Sequence, residues 1–275
     1  MLCISPMNIA RPNGQGNKDR IMIPCGKCVA CLTNRRNDWT LRLKEELKNS
    51  TSGHFVTLTY EEENLPFGQF VNTLDKRDLQ LFIKRLRKHD KTNQIRYYAV
   101  GEYGTKTQRA HYHLLIFNLS EVENIHKAWK LGHIKVSQIN GKCIHYVTKY
   151  HVNKTDYPYG SQRPFALMSK NPAIGSGYIK KQRDYHEGYP QRAFYTEIGG
   201  VKKRLPRYFK TKLYSKEELT QISIINGISS NTTTDKKQLD YKFLNPTENY
   251  FKHDFSQKVE LNKKYKQKIN HNNTF

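Results

Sequence analysis

Nothing in the 275 residues approaches the ~20 consecutive apolar positions that a membrane-spanning helix needs, so no membrane association is expected. The N-terminal residues carry no apolar stretch of a secretory leader either, and export is not expected. Cysteine is sparse: there are five, an odd number, which argues against a disulfide framework and fits a reducing compartment. No internal repeat is apparent, which excludes a repeat array. Acidic residues are few beside basic ones, 24 Asp and Glu against 47 Lys and Arg, for a formal net charge of +23. Part of that excess is solvated surface, but its size favours counterion-releasing contact with phosphate backbones. Aromatics make up 12% of the chain and include 18 Tyr. Some belong to a core, and others offer planes on which unpaired bases can stack.

The densest chemistry lies in Gly101-Glu-Tyr-Gly104, His111-Tyr-His113-Leu-Leu-Ile-Phe117 and Tyr146-Val-Thr-Lys149-Tyr150. In a strand, alternate side chains share a face, so His111 and His113 project together while Tyr112, Leu114 and Ile116 face the other way. The connection from Gly104 to Arg109 is short and polar enough for a hairpin, which would bring Glu102 beside both histidines. Two neutral imidazoles and a carboxylate leave coordination positions open for a divalent ion that polarises a phosphate oxygen. A single His-x-His is also compatible with chance in a chain of 11 His. Tyr146 and Tyr150 share a helix face with about 6 Å of rise between them. A free phenol, with a pKa near about 10, needs a polarised phosphate and nearby positive charge to attack it, and Lys149 and Lys154 can supply that charge. Tyrosines at this spacing equally suit core packing, and the pattern alone leaves both readings open.

The order of elements narrows the fold. Phe55 to Tyr60 reads as a strand, Asp75 to Lys88 as a helix, and Ile95 to Glu102 and His111 to Phe117 as strands. Ser120-Glu-Val-Glu123 reads as a capping box opening a helix through Leu131, with Gly132 as its C-terminal cap. His133 to Ile139 alternates as a half-buried strand and precedes the tyrosine helix. The β-α-β-β-α-β-α order predicts an α+β fold, an antiparallel β-sheet sandwiched by helices. Residues 1–52 read as a cysteine-rich segment with a helix from Asn34 to Leu47, and 53–155 as the core. Residues 156–214 form a basic Tyr/Pro/Gly-rich extension, and 215–275 a basic tail, helical or partly disordered, with a helix starting at Ser215 and a linker at 231–237. Cys25, Cys28 and Cys31, with two residues between neighbours, and Cys3 upstream can make a structural zinc site, whose fourth ligand the spacing leaves open to a histidine as well. A packed helix start is the competing reading, and Cys143 is left over.

At this point the chain resembles the HUH endonucleases that initiate rolling-circle replication. More narrowly it resembles the replication initiators of the small single-stranded DNA phages, the microviruses, especially their gokushovirus branch. Phe55-Val-Thr-Leu-Thr-Tyr60, Arg109-Ala-His111-Tyr-His113 and Tyr146-Val-Thr-Lys149-Tyr150 match the family's three motifs. Cys25 to Cys31, Leu167 to Gly175 and Leu205-Pro-Arg-Tyr208 also look like that branch. The resemblance implies metal-dependent nicking of one strand at single- and double-stranded phage origin DNA in the bacterial cytoplasm. It further implies Mg²⁺ or Mn²⁺ on Glu102, His111 and His113, a 5′-phosphotyrosine link, and a 3′-hydroxyl for host polymerase, with a host helicase. Tyr146 is then the first nucleophile with Lys149 on the phosphate, Tyr150 the second, and Thr57, Thr59, Arg109 and Lys154 DNA contacts.

Overall fold

The computed structural model describes residues 3–11, 20–91, 94–104, 106–149, 157–224 and some positions between 256 and 267. Tyr150, Lys154 and the expected linker at 231–237 lie outside the described residues. In chain order the elements are β1 (Met7–Ala10), β2 (Arg20–Ile23), α1 (Val29–Lys48), β3 (Gly53–Tyr60), α2 (Lys76–His89), β4 (Arg96–Tyr103), β5 (Ala110–Phe117) and α3 (Glu123–Ala128). There follow β6 (Gly132–Gln138), α4 (Gly141–Lys149), β7 (Phe165–Met168), α5 (Gly177–Lys181), α6 (Arg183–His186), β8 (Tyr195–Ile198), β9 (Val201–Arg204) and α7 (Arg207–Leu213). Two compact units result, one of Met1–Arg36 with Tyr185–Phe275 and one of Asn37–Asp184. No described helix is long and apolar enough to cross a membrane.

The second unit is built on a five-stranded sheet of order β6-β3-β5-β4-β7 with every neighbouring pair antiparallel. Its inner strands β4 and β5 carry apolar residues on both sides, so each face takes its own helices. On one face Val56, Leu58, Tyr112, Leu114 and Ile116 pack with Leu79, Phe82, Ile83 and Leu86 of α2 and with Ile125 and Ala128 of α3. α2 forms because those four apolar residues recur at helical spacing, and Asp75 caps it by accepting from the Arg77 N–H at 2.6 Å. Each of the four is buried, contributing about 1.5–3 kcal/mol of apolar transfer. On the opposite face Tyr98, Val100, Leu115 and Phe117 pack with Leu43 of α1 and with Ile144 and Val147 of α4. The Gly104–Arg109 connection is a hairpin, with Gly104 N–H on the Arg109 carbonyl at 3.0 Å.

Two local expectations are corrected. Ser120 opens no capping box: its N–H and hydroxyl both go to Asp90 Oδ2, at 2.8 and 2.7 Å, and α3 starts later with no side-chain cap. Gly132 is not that helix's cap but the first residue of β6, at φ 147°, opposite Tyr60. A Cβ there would collide with the backbone of Thr59 and Glu61, so close strand approach requires glycine. By contrast Ser215 and Glu218 do exchange backbone N–H bonds, at 3.1 and 2.6 Å, where a helix runs over 216–224. The helix expected from Asn34 already begins at Val29, and β7 brings residues from beyond position 155 into the sheet.

On the sheet face that carries α2, two buried tyrosines and a half-buried aspartate form a polar chain. Tyr60 donates to Asp78 at 2.9 Å and meets the Tyr112 hydroxyl at 2.7 Å, which also binds the Asp75 carbonyl at 2.6 Å and accepts from its N–H at 2.9 Å. Tyr112→Phe leaves the buried Tyr60 hydroxyl and the Asp75 N–H and carbonyl short of a partner. It should cost about 1–3 kcal/mol, read as a lower urea midpoint at unchanged m-value. An unaltered midpoint would mean water replaces the hydroxyl.

Candidate metal and nucleophile site

Strand register assembles the site. Glu102 of β4 and Thr59 of β3 both lie opposite His111 of β5, while Thr57 lies opposite His113. All five have the parity of Tyr98, Val100, Leu115 and Phe117, so they share the face covered by α1 and α4. His111 Nδ1 lies 3.0 Å from the Arg109 carbonyl, which can only accept, so this nitrogen carries the proton. In the neutral ring Nε2 then presents a lone pair, and it points at Glu102 Oε1 from 3.4 Å. Two acceptors face each other comfortably only with a proton or a cation between them. His113 Nε2 also faces Oε1, at 3.3 Å, with its Nδ1 held by Thr57 Oγ1 at 3.0 Å. The three donor atoms lie within 4.8 Å of one another. An anionic oxygen and two imidazole nitrogens with their other nitrogens bonded are a fitting donor set for a divalent cation. Burial opposes ionisation of Glu102, but the Tyr146 hydroxyl that donates to it and the two imidazoles beside it hold its carboxyl well below the usual range.

α4 delivers the tyrosine. Its Ile144 and Val147 are buried against the sheet, and Thr148 ties it to α1 through Thr40 at 3.2 Å. Tyr146, half exposed, turns its hydroxyl to Glu102 Oε1 at 2.7 Å and to His113 Nε2 at 3.4 Å. Its ring packs edge-on to His113, with centroids 4.8 Å apart, and to Phe55 at 6.2 Å. Burial and the Glu102 charge push the phenol above its ordinary pKa. Phe55 was not singled out from sequence, yet it stacks on His113 at 5.6 Å and 8°. Its spacing of two residues from Thr57 and four from Thr59 on one strand is the signal that could have found it. Lys149 ends α4 and is partly buried. Arg109 spends donors on Glu62 Oε2 and the Tyr60 carbonyl, both at 2.7 Å, strapping the ends of β3 and β5 together.

The first unit holds a second cluster. Cys3 Sγ lies 3.5 Å from Cys25 Sγ and 3.8 Å from Cys28 Sγ, and with Cys31 all four sulfurs fall within 4.8 Å of one another. Backbone N–H groups of Cys25 and Cys28 point at sulfurs of Cys3 and Cys25, each at 3.3 Å. Burial works against ionisation of Cys28, yet hydrogen bonds from Ile4 and Cys31 backbone and from neighbouring thiols bring it down to about 6. Burial pushes Cys31 up to about 12. The fourth member, which the spacing of the other three does not identify, is thus Cys3. Cys143 belongs to the other unit, packed against the α1/α4 side of the sheet.

Residues 53–156, which include the Glu/His/His group and Tyr146, match the family model for replication-associated protein ORF2. Replication-associated protein VP4 of Bdellovibrio phage phiMH2K is 31% identical over 217 residues, covering 68% of this chain and 66% of that protein, just under two thirds of it. Replication-associated protein ORF2 of Spiroplasma virus 4 is 29% identical, covering 72% of this chain and 70% of its own. Replication-associated protein ORF4 of Chlamydia phage 1 is 26% identical, covering 70% and 53%. Among solved structures, the hypothetical protein ORF119 of Sulfolobus islandicus rod-shaped virus 1 aligns with 42% of this chain and 96% of its own, at 18% identity and a TM-score of 0.30, too low to carry an argument. With a family model over the sheet and its tyrosine helix, and phage relatives aligned over most of its length, the chain belongs to the phage replication-associated proteins.

Proposed function

We propose that the protein initiates rolling-circle replication of a small phage genome by nicking one strand of the origin, in the cytoplasm of its bacterial host. The observation that carries this reading is the Tyr146 hydroxyl, 2.7 Å from Glu102 and 3.4 Å from His113, with a nucleophile and a cation-binding group at one point. The phenol oxygen attacks the scissile phosphorus, the bond to the 3′-oxygen breaks, and the products are a 5′-phosphotyrosine and a free 3′-hydroxyl. Glu102 holds the phenol proton through Oε1, and Thr57 and the Arg109 carbonyl fix the imidazoles that flank it. Mg²⁺ or Mn²⁺ on Glu102, His111 and His113 would supply Lewis acidity at the phosphate. Lys149 offsets phosphate charge, while Thr57, Thr59, Arg109 and Lys154 contribute DNA contacts. A host polymerase then extends the 3′-hydroxyl, with a host helicase opening the duplex, and Tyr150 takes the second transfer that closes the circle. The deciding test is a denaturing-gel assay for a covalent protein–DNA adduct on single-stranded phage origin DNA with Mg²⁺ or Mn²⁺. Persistent absence of adduct would remove the nickase reading.

We also propose that Cys3, Cys25, Cys28 and Cys31 hold one structural Zn²⁺, since four converging sulfurs with N–H donors match a closed thiolate site. Freshly purified, reduced protein should contain about one zinc per chain, and Cys28→Ser should lower the melting temperature more than the nicking rate. Metal-free protein of unchanged stability would leave the cluster as packed thiols.

A further inference from the structure

Three aromatic side chains stand in solvent with no burial to justify them: Phe67 is 72% exposed, Phe70 61% and Tyr159 86%. The rings of Phe70 and Tyr159 lie nearly parallel, 12° apart with centroids at 6.4 Å. The two chain segments that carry them are firmly built. Thr73 N–H reaches the Pro66 carbonyl at 2.9 Å and Gly68 N–H the Val71 carbonyl at 2.7 Å, closing the first segment on itself. Gln162 N–H binds Thr73 Oγ1 at 2.7 Å, and the Tyr103 hydroxyl donates to the Gln162 carbonyl at 2.7 Å, fastening the second segment to the first and to β4. Gly160, at φ 80°, passes directly beneath Phe70, where a Cβ would come within 3.1 Å of the ring. The rings are therefore pre-positioned, which lowers the ordering cost of binding anything laid on them.

Their place in the sheet matters. One segment leaves the end of β3, two residues past Thr59 and its partner His111, and the other enters β7, whose first residue Phe165 pairs with Gly101 beside Glu102. Both loops thus emerge from the sheet end that bears the Glu/His/His group. The exposed residues of this patch are aromatic rather than aliphatic, with exposed Lys76, Arg77 and Arg163 close in sequence. Of the three acids preceding the first loop, Glu62 is already paired with Arg109. Flat exposed rings with cations near in sequence, on a chain of net charge +23, suit a polyanion with free π-faces better than a protein or lipid surface.

We propose that Phe67, Phe70 and Tyr159 form a stacking platform for unpaired bases of the DNA strand that the protein cuts. The proposal rests on the nickase reading for the identity of the strand, and not for the stacking itself. The test measures fluorescence anisotropy of labelled oligothymidylate and of a duplex of equal length, with the full chain unsubstituted, as Phe70→Ala/Tyr159→Ala, and as Phe70→Leu/Tyr159→Leu. Both double variants should lose about 5- to 100-fold in single-strand affinity, with duplex affinity unchanged. The exposed positions should leave the melting temperature unmoved. Unchanged single-strand binding in the alanine variant overturns the proposal, and so does full recovery by leucine, which would mean apolar docking. Loss of single-strand affinity in a protein that forms no adduct would retain the platform and remove the nickase. An adduct-forming protein whose alanine variant binds normally would do the reverse.

Discussion

Tyr146→Phe is expected to abolish the covalent adduct on a short origin oligonucleotide, with a loss on the order of 10³-fold or more, as when other enzymes lose their nucleophile. The substitution deletes one oxygen and keeps the ring, so the edge-on contacts with His113 and Phe55 persist. Because the residue is 44% exposed, the lost hydrogen bond to Glu102 should cost no more than about 1 kcal/mol in stability. A folded but inert protein is therefore the predicted outcome. Tyr150→Phe should spare the first adduct and block release of closed circles from a two-origin template, since Tyr146 alone has a lysine three residues on. Equal adduct yield from both variants would mean interchangeable tyrosines. Adduct formation by the double Phe variant would place the nucleophile outside this helix.

The second large effect is expected from the histidines. His111→Ala or His113→Ala should reduce nicking by about 10²-fold or more while origin affinity changes little, because polarisation of the phosphate is lost and the basic surface remains. The two variants should differ in stability. His113 is 8% exposed and stacked on Phe55, so its truncation opens a gap that truncation of His111 does not. Titration of Mn²⁺ by calorimetry is the direct measurement, and Thr57→Val, which frees His113 Nδ1, should weaken binding by about 10- to 100-fold. Full activity of both alanine variants in buffer stripped of metal and then resupplied would remove the cation from this site.

Much of the central sheet was legible because its longer elements announce their period. α2 carries its apolar residues at helical spacing, and β6 alternates, so local sequence suffices. The four-residue strands β1, β2, β7, β8 and β9 do not announce themselves, since so short a run takes its conformation from its partner, as β7 does from β4. Ser120 misled for a related reason: Asp90, thirty residues earlier, claims the hydroxyl that a local rule gives to the helix. In the site, alternation and the hairpin were enough to bring Glu102 to the histidines. Phe55 and the role of Thr57 depend on the β3–β5 register, which only the folded sheet supplies.

β5 interleaves two duties residue by residue: its even positions Tyr112, Leu114 and Ile116 wall the α2 core, and the odd positions His111 and His113 join Glu102 in the candidate metal group. A one-residue insertion or deletion before Tyr112 would exchange the two sets, turning imidazoles into the core and a tyrosine into the site. Such a strand leaves evolution no gradual path by which to reposition its histidines. If the protein nicks an origin as proposed, a new origin sequence is accommodated through the loops around this strand.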